Sequence, residues 1–492
     1  MTTSADQRCN LSSDASLVPL VVDLDGTLTP TDTLVESAIS ALKARPFDLL
    51  AWPVWLLRGK AFFKSKIASR AGFSAERLPL RADFHRFLAA ESNRGRRLIL
   101  ATAADECIAD AVARRIGLFD AVLASNARAN LKGPHKLAAI QALLGTEFCY
   151  AGDSNADLVI WRSAHSAILV NVSPRLKARL PEHVRIEKEF HPTRPGIAGW
   201  TKALRIHQWL KNSLLFVPLL TSFLFLDPTK LASVVVAFFA FSMAASATYV
   251  VNDLLDLDSD RAHPRKRFRP FASASISITQ GVAGAAALLL GAFALAFTVS
   301  GSFAATLLSY VALTSAYSWV LKQYVLIDVL ALSMLYTLRI LAGAVAIGVP
   351  TSPWLLAFSV FVFSSLALVK RCAELVSLQE AGETATRGRD YRVSDQQVLT
   401  PLGVATAAAA VVVFGLYLSS AEVQAQYASP PLLWLVALGL IYWLGRLWIK
   451  TQRGEMHDDP LVFALRDHGS RVTIAAMIFV VLLAQNVRGV HW

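Results

Sequence analysis

Residues 249–270 read YVVNDLLDLDSDRAHPRKRFRP, and this stretch decides how the rest of the chain is interpreted. Asn252, Asp256 and Asp260 recur at intervals of four, with Asp253 three residues before Asp256, so a continuous helix would carry them on one stripe. Carboxylates at the end of an apolar helix are costly unless they face a wet cavity and a partner. A magnesium ion that carries a diphosphate is the partner we expect, because a solvated charged loop would not explain the acidic stripe and the basic residues directly behind it.

Apolar runs surround this stretch. Of the 492 residues, 54% are hydrophobic and only 17% are charged, which is too apolar for a soluble protein of this size. Mixed-charge sequence ends near residue 195, so we expect a multidomain chain with a domain over 1–195 and an all-α membrane domain over 196–492. About nine transmembrane helices are predicted, near 213–227, 232–252, 278–299, 303–321, 325–347, 353–371, 401–420, 430–449 and 472–488.

Charge placement predicts the orientation. Lys and Arg collect in the gaps after the second, sixth and eighth predicted spans, whereas the gaps after the third, fifth and seventh hold none. The positive-inside rule then places the N-terminal domain in the cytoplasm and the C-terminus on the far side of a plasma (inner) membrane. We expect no cleavable signal peptide, because the polar N-terminus has no basic start followed by an apolar core. The net charge of +12 lies between apolar spans and not in a stripe with interleaved aromatics, so no nucleic acid partner is expected.

The N-terminal domain has a second acidic motif. Residues 17–27 read LVPLVVDLDGT, an apolar strand that ends in Asp23 and Asp25. Carboxylates at i and i+2 of a strand point to one face. They suit a nucleophile and a proton donor, with a divalent cation between phosphate and protein. Further strands are predicted to end at Thr102 and at the acidic loop GDSNAD, 152–157, and Lys136 opens a helix between them.

The order of these motifs resembles the haloacid dehalogenase (HAD) superfamily of phosphatases, over about residues 20–175. The resemblance implies an α/β, Rossmannoid fold with an inserted helical cap over about 32–90. It makes Asp23 the phosphoryl-accepting nucleophile and Asp25 the general acid/base. It also implies phosphate binding by Thr102 and Lys136, and one Mg²⁺ held at Asp23, Asp25, Asp153 and Asp157.

Within the expected cap, Pro46 to Phe63 is unusually apolar. One interpretation is an ordinary cap core around Trp52, Trp55 and Phe62. The other is an interfacial helix that touches the bilayer, because Arg58, Lys60 and Lys64 flank the apolar run.

The motif NDxxDxxxDxxHPxKxxRP at 252–270 resembles the first aspartate motif of the UbiA superfamily of intramembrane transferases. The segment RIHQWLKN, 205–212, is similar to the sequence that precedes the first span in that family. The resemblance covers about 200–490 and implies a helical bundle around a central cavity. It assigns catalysis and at least one Mg²⁺ to Asn252, Asp253, Asp256 and Asp260.

Members that prenylate aromatic rings carry a second aspartate motif after the sixth span. Here residues 369–375 read VKRCAEL, with cations where acids are expected. Two extra positive charges would repel a second magnesium ion and attract a further phosphate group. Asp328 and Arg339, eleven residues apart, would share a helix face, either at the substrate or as an internal ion pair.

This pattern resembles the branch of the superfamily that contains the decaprenyl-phosphate phosphoribosyltransferases. The resemblance implies a phosphorylated sugar donor, phosphoribosyl diphosphate, and a polyprenyl phosphate acceptor in the lipid bilayer. The HAD domain would then remove the 5-phosphate from the lipid-linked sugar. The substrate-binding residues expected for the membrane domain are Arg205, Lys211, Asn212, Lys266, Arg269, Asp328, Tyr336, Arg339, Lys370, Arg371 and Glu374.

Two other functions are open at this stage. The same fold could move a polyprenyl group from a polyprenyl diphosphate to an aromatic or other small acceptor. A transporter or channel with a regulatory phosphatase is the alternative from a different class, although the spans show no obvious inverted repeat.

Overall fold

A computed structural model describes residues 17–127, 129–191, 196–382, 384–386, 389–456 and 459–487. It divides into two compact units, of which the first comprises Met1–Leu204 and Tyr249–Gly284 and the second comprises Arg205–Thr248 and Ala285–Trp492. The acidic stretch 249–270 therefore belongs to the same compact unit as the N-terminal residues. The proposed boundary between residues 195 and 196 stays a prediction.

The first unit is built on a six-stranded sheet in the order β3-β2-β1-β4-β5-β6, in which every pairing is parallel. Its strands are β1 (Leu20–Val22), β2 (Leu98–Asp105), β3 (Ala121–Ser125), β4 (Cys149–Gly152), β5 (Ser166–Val170) and β6 (Arg185–Phe190). This doubly wound order reverses direction at β1, so the carboxyl ends of β1 and β4 flank the crevice where such sheets bind ligands.

Alternate side chains along each strand pack into one of two hydrophobic layers, one on each face of the sheet. Leu20 and Val22 of β1 pack in one layer, with Leu98 and Leu100 of β2. Val21 packs in the opposite layer, which also contains Tyr150 and Trp161. Both faces of the sheet are therefore buried, which is why these strands read as nearly continuous apolar runs.

The chain between β1 and β2 is helical, as expected for a cap. Its α-helices are Thr33–Ala44, Trp52–Leu57, Lys60–Arg70 and Ala82–Asn93. The first begins where it does because the Asp32 carboxylate accepts from the backbone amides of Leu34 and Val35. The remaining α-helices of the first unit include Glu106–Ile116, Pro134–Leu144, Leu158–Trp161, Pro174–Lys177, Ile197–Ala203 and Leu257–Ala262.

Long apolar helices dominate the rest of the chain, so the predicted multi-pass helical bundle is confirmed. Among the described residues, seven segments are long and apolar enough to cross a membrane: Pro228–Leu255, Ile278–Val299, Ile327–Ile347, Pro353–Glu380, Val393–Leu418, Pro430–Gln452 and His468–Asn486. Helices Ala421–Gln426 and Pro460–Arg466 are short connections.

The predicted count of about nine was approximate. The span expected at 303–321 is the helix Gly301–Trp319, which is not one of the seven. The span expected at 213–227 is broken into a 3₁₀ stretch Ile206–Phe216, a helix Val217–Thr221 and a 3₁₀ turn Leu224–Leu226. Pro218 at the start of the middle piece and the positive φ of 54° at Phe223 interrupt a continuous helix.

The second unit packs this broken segment closely. A Cβ at Gly343 would lie 2.1 Å from the carbonyl oxygen of Leu215, so only glycine lets the two backbones approach this far. A buried core of Leu366, Val369, Leu447 and Trp448 joins the long helices elsewhere in the unit.

Candidate functional sites

Three carboxylates converge at the crevice of the sheet. Asp23 follows β1, and Asp153 and Asp157 follow the neighbouring strand β4. Each of these side chains offers an oxygen within 4.8 Å of the others. Oxygen ligands of this kind are what Mg²⁺ prefers, so the donor set fits the metal expected from the sequence.

A hydrogen-bonded chain holds the carboxylates in place. Lys136 Nζ donates to Asp23 Oδ1 (2.8 Å) and to the Tyr150 hydroxyl (3.1 Å), and that hydroxyl donates to Asp157 Oδ1 (2.8 Å). Asp157 Oδ2 accepts from the amide and the hydroxyl of Ser154 at 3.0 and 2.9 Å. The sequence analysis missed Tyr150; its signal was a hydroxyl in an otherwise apolar strand that runs into the acidic loop.

Gly26 is required by this geometry. Its φ is 77°, and a Cβ there would lie 2.1 Å from Asp153 Oδ2. Glycine therefore lets the loop after β1 turn against the second acidic loop.

The two aspartates of the first motif, Asp23 and Asp25, differ in the charged neighbours that act on their pKa. Burial raises the pKa of Asp25 to about 7, and the nearby charge of Asp32 acts in the same direction. The Thr33 amide donates to Asp25 Oδ1 (2.8 Å) and opposes this rise. Burial also raises the pKa of Asp23, against the charge of Lys136. Asp25 can thus carry a proton near neutral pH, whereas Asp23 has an ammonium partner that favours its anion.

Burial, with the charges of Asp23 and Asp157, raises the pKa of Asp153 to about 8. A cluster of this kind holds its negative charge only with a compensating cation. Asp25 is part of the predicted metal set but lies outside the group of three that converges.

A cavity of about 430 Å³ opens onto these aspartates. Two lysines line it that the sequence analysis did not place there, Lys64 from the cap and Lys132 from the loop before Lys136. Thr102 is not among the lining residues; it is fully buried, and its hydroxyl accepts from the Ala104 amide (3.0 Å). Ser277 to Thr279, where the candidate span Ile278–Val299 begins, also line the cavity.

The acidic stretch 249–270 differs from the expected single stripe. The helix that begins at Pro228 ends at Leu255, and Asp256, with φ of −101° and ψ of 14°, precedes a separate helix Leu257–Ala262. The Asp260 amide still donates to the Asp256 carbonyl (2.8 Å), so the chain stays close to a helical path.

Because the helix is interrupted at Asp256, the acidic side chains of this stretch pair with two different cations. Arg269 Nη1 donates to Asp253 Oδ1 (3.1 Å) and to Asp260 Oδ2 (2.7 Å). Asp256 pairs instead with Lys43 of the cap (2.8 Å). Arg269, predicted to bind substrate phosphate, is thus the partner of two predicted metal ligands. Asp253 and Asp260 converge on one cation position, which the Arg269 guanidinium occupies in this structure. Asn252 lies on the last turn of the first helix, and Lys266 is exposed in the following loop.

A buried ion pair fixes this stretch within the first unit. Arg261 donates to both carboxylate oxygens of Glu36, at 2.9 and 2.7 Å, and both side chains are more than nine-tenths buried. Its Nε donates to the Ala272 carbonyl (3.0 Å). The sequence offered no signal for this pairing, because the partners are 225 residues apart.

The second unit groups its predicted residues in two networks. In the first, Lys211 and Lys370 both contact Asp459 Oδ2, at 2.6 and 3.4 Å. Lys211 Nζ also lies 5.8 Å from the ring centre of Tyr336. Asp459 was missed by the sequence analysis.

Arg339 belongs to the first network, because its guanidinium carbon lies 5.4 Å from the ring centre of Tyr336, and it is otherwise held by three neutral oxygens. It donates to Asn212 Oδ1 (2.9 Å), to the Tyr310 hydroxyl (3.0 Å) and to the Leu335 carbonyl (2.6 Å). Arg205 stands at the start of the 3₁₀ stretch in a left-handed conformation, with φ of 49°.

Asp328 belongs to the other network. It accepts from Arg371 Nε (2.6 Å) and from the Tyr391 hydroxyl (2.5 Å), and Arg371 also pairs with Glu374 (2.6 Å). The internal ion pair considered between Asp328 and Arg339 is therefore wrong, because each of these side chains has other partners.

The model of the UbiA prenyltransferase family matches residues 215–468, and the model of haloacid dehalogenase-like hydrolases matches residues 20–160. The chain belongs to the UbiA prenyltransferase family. This UbiA-family protein is an enzyme, a transferase joined to a HAD-like phosphohydrolase domain, and both families are generally Mg²⁺-dependent.

Three relatives extend the comparison. An uncharacterised protein y4nM of Sinorhizobium fredii is 38% identical over 460 residues, which are 92% of this chain and 88% of that protein. The nodulation protein NoeC of Azorhizobium caulinodans is 38% identical over 278 residues, covering 56% of this chain and 90% of that one. A decaprenyl-phosphate phosphoribosyltransferase of Mycolicibacterium smegmatis is 32% identical over 299 residues, covering 58% of this chain and 92% of that enzyme.

Proposed function

We propose that this protein is a bifunctional enzyme of the plasma (inner) membrane, with its HAD domain in the cytoplasm. Its membrane domain transfers 5-phosphoribose from phosphoribosyl diphosphate to a polyprenyl phosphate. Its HAD domain then removes the 5-phosphate from the lipid-linked product. The relative from Mycolicibacterium smegmatis, matched over nine-tenths of its length, supports the donor and acceptor classes.

The observation that carries the donor assignment is the cationic segment 369–375. Lys370 and Arg371 stand there in place of a second group of metal ligands; Lys370 contacts Asp459, and Arg371 contacts Asp328 and Glu374. The segment lacks the acids that a second magnesium ion would need, and its two cations would bind a further phosphate by exchanging their carboxylate partners.

In the transfer step, an oxygen of the acceptor phosphate attacks the anomeric carbon as the bond from that carbon to the diphosphate breaks. Asp253 and Asp260, with Asn252 and Asp256, would hold Mg²⁺ on the departing diphosphate. The metal would stabilise the negative charge that develops there. Lys266 and Arg269 would bind the remaining phosphate oxygens once Arg269 leaves its two carboxylates.

In the hydrolytic step, Asp23 attacks the phosphorus and forms an aspartyl phosphate, and Asp25 gives its proton to the departing sugar oxygen. Asp25 then accepts a proton from the water that hydrolyses the intermediate and releases phosphate. Lys136 neutralises charge on the phosphoryl group, and Asp23, Asp153 and Asp157 would hold the metal. That Ser277 to Thr279 line this cavity supports a substrate presented at the membrane surface.

A doubly labelled donor tests both steps at once. Purified protein in lipid is incubated with Mg²⁺, a polyprenyl phosphate, and phosphoribosyl diphosphate that carries ¹⁴C in the ribose and ³²P at the 5-phosphate. Lipid-extractable ¹⁴C reports transfer, and release of ³²P as inorganic phosphate from that lipid reports hydrolysis. Absence of lipid-linked ¹⁴C, together with transfer from a labelled polyprenyl diphosphate to an aromatic acceptor, would establish the alternative prenyltransferase function.

A further inference from the structure

We propose that the cap segment Pro46–Leu57 lies in the membrane–water interface and inserts an apolar patch among the lipid chains. The patch consists of Phe47, Leu50, Val54, Leu56 and Leu57. It is distinct from both candidate active sites, and the proposal does not depend on the substrates assigned above.

The patch is far more exposed than apolar side chains on a soluble surface usually are. Phe47, Leu50 and Leu57 are 85%, 80% and 88% exposed, and Val54 and Leu56 are about half exposed. Five such side chains lie within eleven residues, and this density of exposed apolar groups marks an interaction site in a folded protein.

The same segment has an inner side that does pack. The Trp52 ring meets Phe63 edge-to-face at 5.9 Å between ring centres, and the Arg70 guanidinium lies 4.6 Å from the centre of the Trp55 ring. These contacts account for the cap core, so the segment is anchored on one side while the patch faces outward. The two interpretations left open by the sequence therefore apply to different faces of one segment.

Length and charge favour the bilayer surface as the partner. The 3₁₀ stretch Pro46–Ala51 and the helix Trp52–Leu57 together are too short to cross a membrane, but they can lie in its interface. Arg45, Arg58 and Lys60 flank the segment, whereas its single acid, Asp48, is paired with Arg70 (2.6 Å). A net cationic border suits anionic headgroups around an inserted apolar face.

The fold of the first unit also holds this segment near a membrane-embedded stretch. The helix Thr33–Ala44 is tied in its first turn by the pair between Glu36 and Arg261, and in its last turn by the pair between Lys43 and Asp256. Asp256 directly follows the candidate span Pro228–Leu255. The segment begins two residues after this helix ends, so it leaves the helix close to the end of that candidate span.

Lipid-specific quenching tests the proposal in the full-length protein. In a variant whose native cysteines are replaced, Leu57→Cys is labelled with an environment-sensitive fluorophore and reconstituted into phosphatidylcholine–phosphatidylglycerol vesicles, with and without spin-labelled acyl chains. We expect blue-shifted emission that the spin-labelled lipid quenches. The matched control is Leu143→Cys, on the partly exposed outer face of helix Pro134–Leu144, where we expect water-like emission without quenching.

Three outcomes would overturn the proposal. Water-like emission at residue 57 would be one such outcome. Another would be a blue shift that lipid does not quench and that disappears when each lipid disc holds one chain, which indicates a second copy as the occupant.

In a second variant, Leu50→Asp combined with Val54→Cys as the labelled site should abolish quenching at residue 54. Unchanged hydrolysis of a soluble phosphomonoester by that variant shows that the domain is folded. Quenching at residue 54 that persists in the Leu50→Asp background would likewise overturn the proposal.

Discussion

The two acidic motifs of this protein differ in how the negative charge of their clustered carboxylates is compensated. In the HAD crevice, Asp23, Asp153 and Asp157 face one another, and one lysine, Lys136, contacts Asp23. In the stretch 249–270, Asp253 and Asp260 already share Arg269. The first site is preorganised for a cation, whereas the second, in the function we propose, would exchange an internal ion pair for its metal and substrate. We therefore expect metal binding to stabilise the first site and to rearrange the second.

Asp23→Asn should separate the two reactions most sharply. An amide cannot form the aspartyl phosphate, so ³²P release should fall at least about 10³-fold while ¹⁴C transfer to lipid stays near wild type. Asp83→Asn, an exposed carboxylate on the cap helix Ala82–Asn93, is the matched control and should change neither reaction. Parallel loss of transfer in Asp23→Asn would contradict the existence of two separate sites.

Asp253→Asn should give the reverse pattern. Loss of one buried metal ligand should lower transfer by about 10²-fold, with hydrolysis of a supplied phosphomonoester preserved. Asp258→Asn, in the same stretch but outside the set Asn252, Asp253, Asp256 and Asp260, is the control. Equal effects of the two substitutions would show that transfer responds to local charge and not to ligand position.

Arg269→Gln tests the exchange of ion pair for metal. It leaves two buried carboxylates without this partner, which should cost about 2 kcal/mol, less than in a fully buried pair because Arg269 is about one-third exposed. The melting temperature in detergent should fall by a few degrees, and saturating Mg²⁺ should raise it more in the variant than in the wild type. Arg265→Gln, exposed in the same loop, serves as control. Equal Mg²⁺ stabilisation of variant and wild type would argue that the carboxylates do not bind the ion.

Tyr150→Phe should have the smallest effect. The hydroxyl orients Lys136 and Asp157 without touching the reacting atoms, so its loss should lower phosphatase kcat/KM about tenfold and raise the Mg²⁺ concentration needed for half-maximal rate. Transfer measured in the same preparation is the internal control. An unchanged Mg²⁺ requirement would mean that Tyr150 does not position the metal ligand.

Local patterns in the sequence were enough to predict much of the fold. The apolar runs that end in acidic motifs predicted the strands β1 and β4, and the long apolar windows predicted the helical bundle, because burial and periodicity act over a few neighbouring residues. The strand β2 was also predicted, but it continues past the expected end at Thr102 to Asp105. The span near 213–227 was wrong as a continuous helix, since hydropathy does not register the break at Pro218 and Phe223.

Local sequence patterns could not predict which side chains pair with one another in the candidate sites. Whether Arg269 faces substrate or Asp253, and whether Asp328 pairs with Arg339 or Arg371, depends on which elements the tertiary structure brings together. Tyr150 and Asp459 were missed for the same reason, as a hydroxyl or a carboxylate reveals its role only beside its partners.

The amino-acid sequence by itself determined the two enzyme families, the membrane-embedded half and the chemical types available at each site, because motif spacing and hydropathy are properties of contiguous residues. Only the tertiary structure decided which carboxylates meet, which cation neutralises them, and which face of the segment Pro46–Leu57 remains exposed. Those outcomes depend on distances of a few ångströms between residues far apart in the chain, and at such distances charge and burial set the energy.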